Sequence, residues 1–119
     1  MEGEGRSMAL LQKRIQVFKL EKTLVGELDL TVDGFYRNVL AFKFDVKKRK
    51  ALYIEVRSDA PIDVAVADSG GSALTHRERI AQAEIGPVPT GNNRDMGIIF
   101  GVFPGEKATV EAEIWMDKE

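Results

Sequence analysis

Residues 39–68 read VLAFKFDVKKRKALYIEVRSDAPIDVAVAD. Leu40, Phe42, Phe44 and Val46 alternate with Ala41, Lys43 and Asp45, and after Lys47-Lys48-Arg49-Lys50 the alternation resumes at Leu52, Ile54 and Val56. Period-two spacing of this kind puts apolar side chains on one face of a strand and polar ones on the other. The two runs therefore predict a hairpin with a basic tip. Ser58-Asp59-Ala60-Pro61 is a turn cluster by composition, and Ile62, Val64 and Val66 predict the next strand, ended by Asp68-Ser69-Gly70-Gly71.

The same reading extends outward in both directions. Upstream, Ile15, Val17 and Leu20, then Leu24, Leu28, Leu30 and Val32, predict two strands, and Asp33-Gly34 predicts a chain reversal before Tyr36 because both residue types accept positive φ at low cost. Downstream, Ala73–Gln82 holds the best helix formers and predicts one or two helical turns or a loop. Glu84–Pro89 predicts a brief edge strand, since its two prolines cannot donate to a ladder. Thr90–Asp95 is a loop by composition. Met96–Phe103 is a nearly continuous apolar run, expected of a buried strand, and after Pro104-Gly105-Glu106 the residues Ala108, Val110, Ala112, Ile114 and Met116 alternate with Glu111 and Glu113.

These elements predict an all-β chain: an antiparallel β-sandwich, jelly-roll-like, of seven to eight strands with at most one short helix. A closed barrel is the competing arrangement. The expected core is Phe42, Phe44, Ile54, Val64, Val66, Ile99, Val110 and Ile114, and Trp115, on the opposite parity from Ile114, is expected to point outward. With 119 residues there is room for one domain, over residues 12–119, preceded by a flexible tail, 1–11.

From about Leu40 onward the layout resembles the GOLD domain of the p24 trafficking proteins and its stand-alone microbial relatives. The likeness rests on the Phe-rich strand Val39–Val46, the strand Leu52–Arg57, the segment Ala60–Asp68, and the late pair Met96–Phe103 and Ala108–Met116. It implies a compact jelly-roll-like sandwich used for protein–protein interaction. Neither the disulfide cysteines nor the coiled coil and membrane span of the p24 members occur here, so the resemblance does not imply secretory cargo transport. No functional residue carries across.

Composition narrows the chemistry further. There are no cysteines and one histidine, which excludes disulfides, thiol nucleophiles and cysteine metal sites. His76 sits among Arg77, Glu78 and Arg79, where a solvated histidine is the expected reading rather than a general base, and no Gly-x-Ser-x-Gly elbow is present. Asp59, Asp63 and Asp68 with Ser69 lack the register of a calcium loop and read as turn formers. Gly70-Gly71 lacks the Lys-Ser/Thr of a phosphate loop. No catalytic residue, metal or cofactor is expected.

The formal net charge is −2, which leaves no global field for nucleic acid. Residues 12–57 nevertheless carry 11 Lys/Arg against 6 Asp/Glu, and residues 58–119 carry 5 against 11. Strands from the two halves are expected to interleave and average this out. Candidate interaction residues are Lys47, Lys48, Arg49 and Lys50, the loop residues Asn92, Asn93 and Arg94, and Trp115. The expected partner is another protein or a second copy of the chain. No run approaches the roughly 18 apolar residues of a membrane span, and the N-terminus has no secretory signal, which predicts a cytoplasmic location. The functional expectation is a non-enzymatic interaction or self-assembly module. A small-ligand or carbohydrate-binding module is the alternative, and it would need two of Tyr36, Tyr53 and Trp115 coplanar on one exposed face.

Overall fold

The computed structural model describes residues 14–26, 39–103 and 105–118. The expected tail, the strand through Leu28, Leu30 and Val32, and the Asp33-Gly34 turn lie outside them. Among the described residues the chain is all strand, in the order β1 (Arg14–Val25), β2 (Val39–Asp45), β3 (Ala51–Ala67), β4 (Ala73–Pro89), β5 (Asp95–Gly101) and β6 (Lys107–Asp117). Every pairing is antiparallel. The sheet runs β1-β6-β3-β5-β2, and β4 pairs with β3 from its other side.

The fold turns on β3, which spans 17 residues. Its first part, Leu52–Ser58, pairs with β6, and its last part, Asp63–Ala67, pairs with β5. Between them Ser58-Asp59-Ala60-Pro61 bends the strand without ending it, so a cluster expected to separate two strands is instead the corner of one. The register against β4 slips here, between Arg57 and Ile62. Two aspartates hold the bend: the Asp59 carboxylate accepts the Thr109 N–H at 2.8 Å, and that of Asp63 accepts the Arg79 N–H at 2.8 Å. Arg79 itself has φ 49°, the left-handed turn of a bulge in β4.

Ala73–Gln82 is strand, not helix, because its residues are committed one by one to β3, from Ala67↔Ala73 through Ala65↔His76 to Arg57↔Gln82. A ladder of that length outweighs the few tenths of a kcal/mol per residue by which helix propensities differ. Lys47–Lys50 is likewise no hairpin tip. β2 pairs with β5, and the four residues cross from one region of the sheet to the other.

One face of the sheet wraps a single core. Leu52, Ile54, Val56, Ile62, Val64 and Val66 from β3 meet Met96, Ile98 and Phe100 from β5 and Val110, Ile114 and Met116 from β6, all essentially without solvent contact. Each such side chain contributes about 1.5–3 kcal/mol relative to exposure. Phe44, Ile54, Val64, Val66, Val110 and Ile114 are buried as expected, while Phe42 is half-buried. Ile99 faces the other way, since Met96, Ile98 and Phe100 take the inner positions of β5.

The two ends of the strand order approach each other and make the sheet nearly barrel-shaped. That closure is aromatic. Phe18 of β1 lies 6.0 Å from Phe42 and 5.8 Å from Phe44 of β2, and Phe42 lies 6.0 Å from Phe100, centroid to centroid. Edge-inclined rings at these separations attract through their quadrupoles as well as by burial. No ladder joins β1 to β2 among the described residues.

Candidate interaction surface

Both ends of β3 come to the same five-residue loop, 90–94, between β4 and β5. Thr90 is the one buried polar residue among those described, at 0% exposure. Its hydroxyl donates to the Lys47 carbonyl oxygen at 2.7 Å and accepts the Lys50 N–H at 2.7 Å, while its own N–H donates to the Lys50 carbonyl at 2.8 Å. The Arg49 N–H reaches the Gly91 carbonyl at 2.7 Å, and that of Val46 reaches the Arg94 carbonyl at 2.9 Å. The basic segment and loop 90–94 are thereby one structure.

Asn93 adds the third connection. Its Nδ2 donates to the Thr90 carbonyl at 2.8 Å, and its Oδ1 accepts from the Ser69 hydroxyl at 2.9 Å. Ser69 belongs to the β3–β4 turn, which Asp68 ties off by accepting the Gly70 and Ser72 N–H groups at 3.0 and 2.9 Å. Three loops far apart in sequence thus form one end of the molecule. This arrangement suits binding because the loops need little further ordering when a partner arrives.

The end is cationic. Lys47, Lys48, Arg49 and Arg94 are exposed and Lys50 is half-buried, with its Nζ on the Lys118 carbonyl at 3.1 Å. The ion pairs found among the described residues are Arg14–Asp117 and His76–Glu78, so none of these five cations is ion-paired among them. Arg49 has φ 60°, which sets the segment as a tight turn. Asn92 is exposed in the same loop. The sequence marks Lys47–Lys50 and Asn92–Arg94 as separate candidates, and the structure joins them. Thr90, which does the joining, carries no sequence signal, because a threonine beginning a polar loop is unremarkable until its partners are known.

Trp115 lies elsewhere, half-buried on the outer face of β6 and directly across from Tyr53 of β3 and Gln16 of β1. The Arg14 guanidinium sits 3.4 Å from the centre of the Tyr53 ring and 3.3 Å from the Asp117 carboxylate. One face of that ring is therefore covered by a cation. Tyr36 lies outside the described residues. The three aspartates weighed as cation ligands are apart, each accepting backbone N–H groups, and no cluster of metal-ligating side chains occurs among the described residues. His76 is exposed, 3.3 Å from Glu78 on β4.

No family model and no curated protein matches the chain. Among solved structures it is similar to the crystal structure of Aeromonas hydrophila PliG, a periplasmic lysozyme inhibitor of g-type lysozyme, with a TM-score of 0.59 and 12% identity over 86% of this chain and 87% of that one. At that identity the likeness is one of fold. The expected cytoplasmic location is not upheld: the protein that shares this fold is by its description periplasmic. No helix among the described residues is long and apolar enough to cross a membrane.

Proposed function

We propose that the protein is a protein-binding module without catalysis of its own, which engages an anionic protein surface through the end formed by Lys47–Lys50 and loop 90–94. The observation that carries this reading is the set of cations, none of them ion-paired among the described residues, held on two loops that Thr90 ties together and Asn93 braces against a third. Such a surface binds with little ordering cost and is steered by charge. An enzyme cleft lined by carboxylates, as in glycoside hydrolases, is one matching surface. The fold neighbour is by its description an inhibitor of a lysozyme, a protein that acts on another protein, which supports the same class. In this reading the sheet is a flattened jelly-roll-like sandwich of the GOLD kind, presenting its loop end from an extracytoplasmic location.

The test is the lytic rate of a g-type lysozyme titrated with the protein, alongside calorimetric binding. Inhibition is expected to be lost, by tenfold or more in affinity, in the triple substitution Lys47→Glu/Lys48→Glu/Arg49→Glu. Binding that survives this reversal places the interface elsewhere and overturns the reading. Absence of any binding to the enzyme removes the inhibitor form of it.

A further inference from the structure

The outer face of β1, β6, the first part of β3 and the second part of β4 carries two rows of charge. Lys19, Glu113, Glu55 and Glu84 stand directly across from one another on four neighbouring strands, and Glu21, Glu111, Arg57 and Gln82 form the next row. Their chain neighbours Ile54, Val56, Ala112 and Ile114 are buried, which turns both rows outward. Like charges directly opposite in a sheet destabilise it, and Glu113–Glu55, Glu55–Glu84 and Glu21–Glu111 are such pairs. None of these five carboxylates joins an ion pair among the described residues. Four of them, Glu21, Glu55, Glu111 and Glu113, line an open hollow of about 130 Å³, with Lys19 and Arg57 at two opposite corners. A water in the liquid takes about 30 Å³, so the hollow has room for the charged head of a lysine or arginine. A cation entering from outside lowers the repulsion in both rows at once.

We propose that the hollow takes the Lys47–Arg49 tip of a second copy of this chain. The occupant follows from charge complementarity. Lys47, Lys48, Arg49 and Arg94 are exposed, take no ion pair among the described residues, and are present on every copy. In the two rows five glutamates stand against Lys19 and Arg57 alone, so the face stays anionic after its own cations are counted. Tip and hollow are different surfaces, so the contact is heterologous and repeats head to tail instead of closing on a pair. Exposed ion pairs contribute little each and are screened by salt, so the assemblies are short and come apart on dilution or at high salt. The inference rests on the reading above for the tip, and it names a second copy as an anionic protein surface that the tip fits.

Light scattering and sedimentation equilibrium on the full chain test it, from about 10 μM to 1 mM at low and high salt. At low salt the mass is expected to climb from the 13.2 kDa monomer past the dimer, and the association to weaken by tenfold or more in about 0.5 M salt. Glu21→Gln/Glu55→Gln/Glu111→Gln neutralises the hollow, and Lys47→Gln/Lys48→Gln/Arg49→Gln neutralises the tip. All six side chains are exposed, so each variant should be folded by circular dichroism, and each alone should be monomeric. Mixed in equal amounts the two should form a dimer that grows no further, because one intact tip and one intact hollow are left between them. A wild type that stays monomeric at 1 mM and low salt overturns the proposal, whatever the variants do. A wild type that stops at the dimer, a mass indifferent to either set of substitutions, or folded variants that stay apart on mixing overturns it as well. Head-to-tail growth without lysozyme inhibition supports the inference and fails the enzyme as partner, whereas inhibition by a chain that is monomeric throughout does the reverse.

Discussion

The two ends of the sheet are closed by the same kind of bond and are left with different surfaces. At the corner end, where β3 bends through Ser58–Pro61, carboxylates do the closing: Asp59 takes the Thr109 N–H and Asp63 the Arg79 N–H. Gly26 completes that end, donating to the Glu106 carbonyl at 2.8 Å and accepting from Gly105 at 2.9 Å. At the loop end Asp68 closes only its own turn, and the groups that join one loop to another are the neutral side chains of Thr90 and Asn93. Negative charge at the corner is thus consumed by backbone donors, whereas at the loop end only Lys50 bonds main chain, and Lys47, Lys48, Arg49 and Arg94 have no such task among the described residues. What the difference teaches is that binding capacity lies where separate loops are joined to one another without charge.

The largest expected effect comes from breaking the corner end. A Cβ on Gly26 would fall on the Phe103 carbonyl oxygen and against that of Val102, both backbone atoms that cannot swing aside. Gly26→Ala should cost about 3 kcal/mol or more in a urea melt, as overpacking against main chain does. At the loop end, Thr90→Val keeps the shape and removes the hydroxyl, leaving the Lys50 N–H and Lys47 carbonyl without their partner. An unpaired buried amide costs about 1–3 kcal/mol. Hydrogen exchange should then rise at residues 46–50 while the corner stays protected. Asp59→Ala is smaller, about 1 kcal/mol, because the Thr109 N–H it frees is exposed to water. If Thr90→Val left exchange at 46–50 unchanged, the loop end would not be held as argued.

Much of this comparison was legible in the sequence, though not the part that joins the pieces. Alternation locates β2, both arms of β3 and β6, because strand periodicity is local and one buried face enforces it, and β5 is located by its near-continuous apolar run. Ser58–Pro61 reads as a turn since its composition is that of a turn, and only the pairing of β4 with both arms, on either side of the slip between Arg57 and Ile62, shows it to be a bend. Ala73–Gln82 reads as helix for the same reason: propensity is local, and the β3 ladder that overrides it is not. The expected interleaving of the two halves does hold, with the acidic β6 between β1 and β3. Cations gather all the same at the loop end, where residues 47–50 meet Arg94, so no count over sequence halves could find them. Lys47–Lys50 and Asn92–Arg94 stand out by composition, but their union depends on Thr90, 40 residues from Lys50.

The smallest stability effect sharpens the comparison most. Reversing Lys47, Lys48 and Arg49 touches exposed side chains with no ion-pair partner among the described residues, and their backbone contacts to Thr90 and Gly91 are kept. Stability should therefore move by no more than about 0.5 kcal/mol in a urea melt. The sign is informative: these cations sit close together and repel, so replacing Lys48 alone by Glu should stabilise slightly at low salt and have no effect at high salt. The corresponding charge removal at the corner, Asp63→Ala, should destabilise in both salts, since its carboxylate is bonded to the Arg79 N–H. A Lys48→Glu change that instead destabilised the chain as much as Asp63→Ala would mean that the loop-end cations close the fold just as the corner carboxylates do, and the surface would then have no charge to spare for a partner.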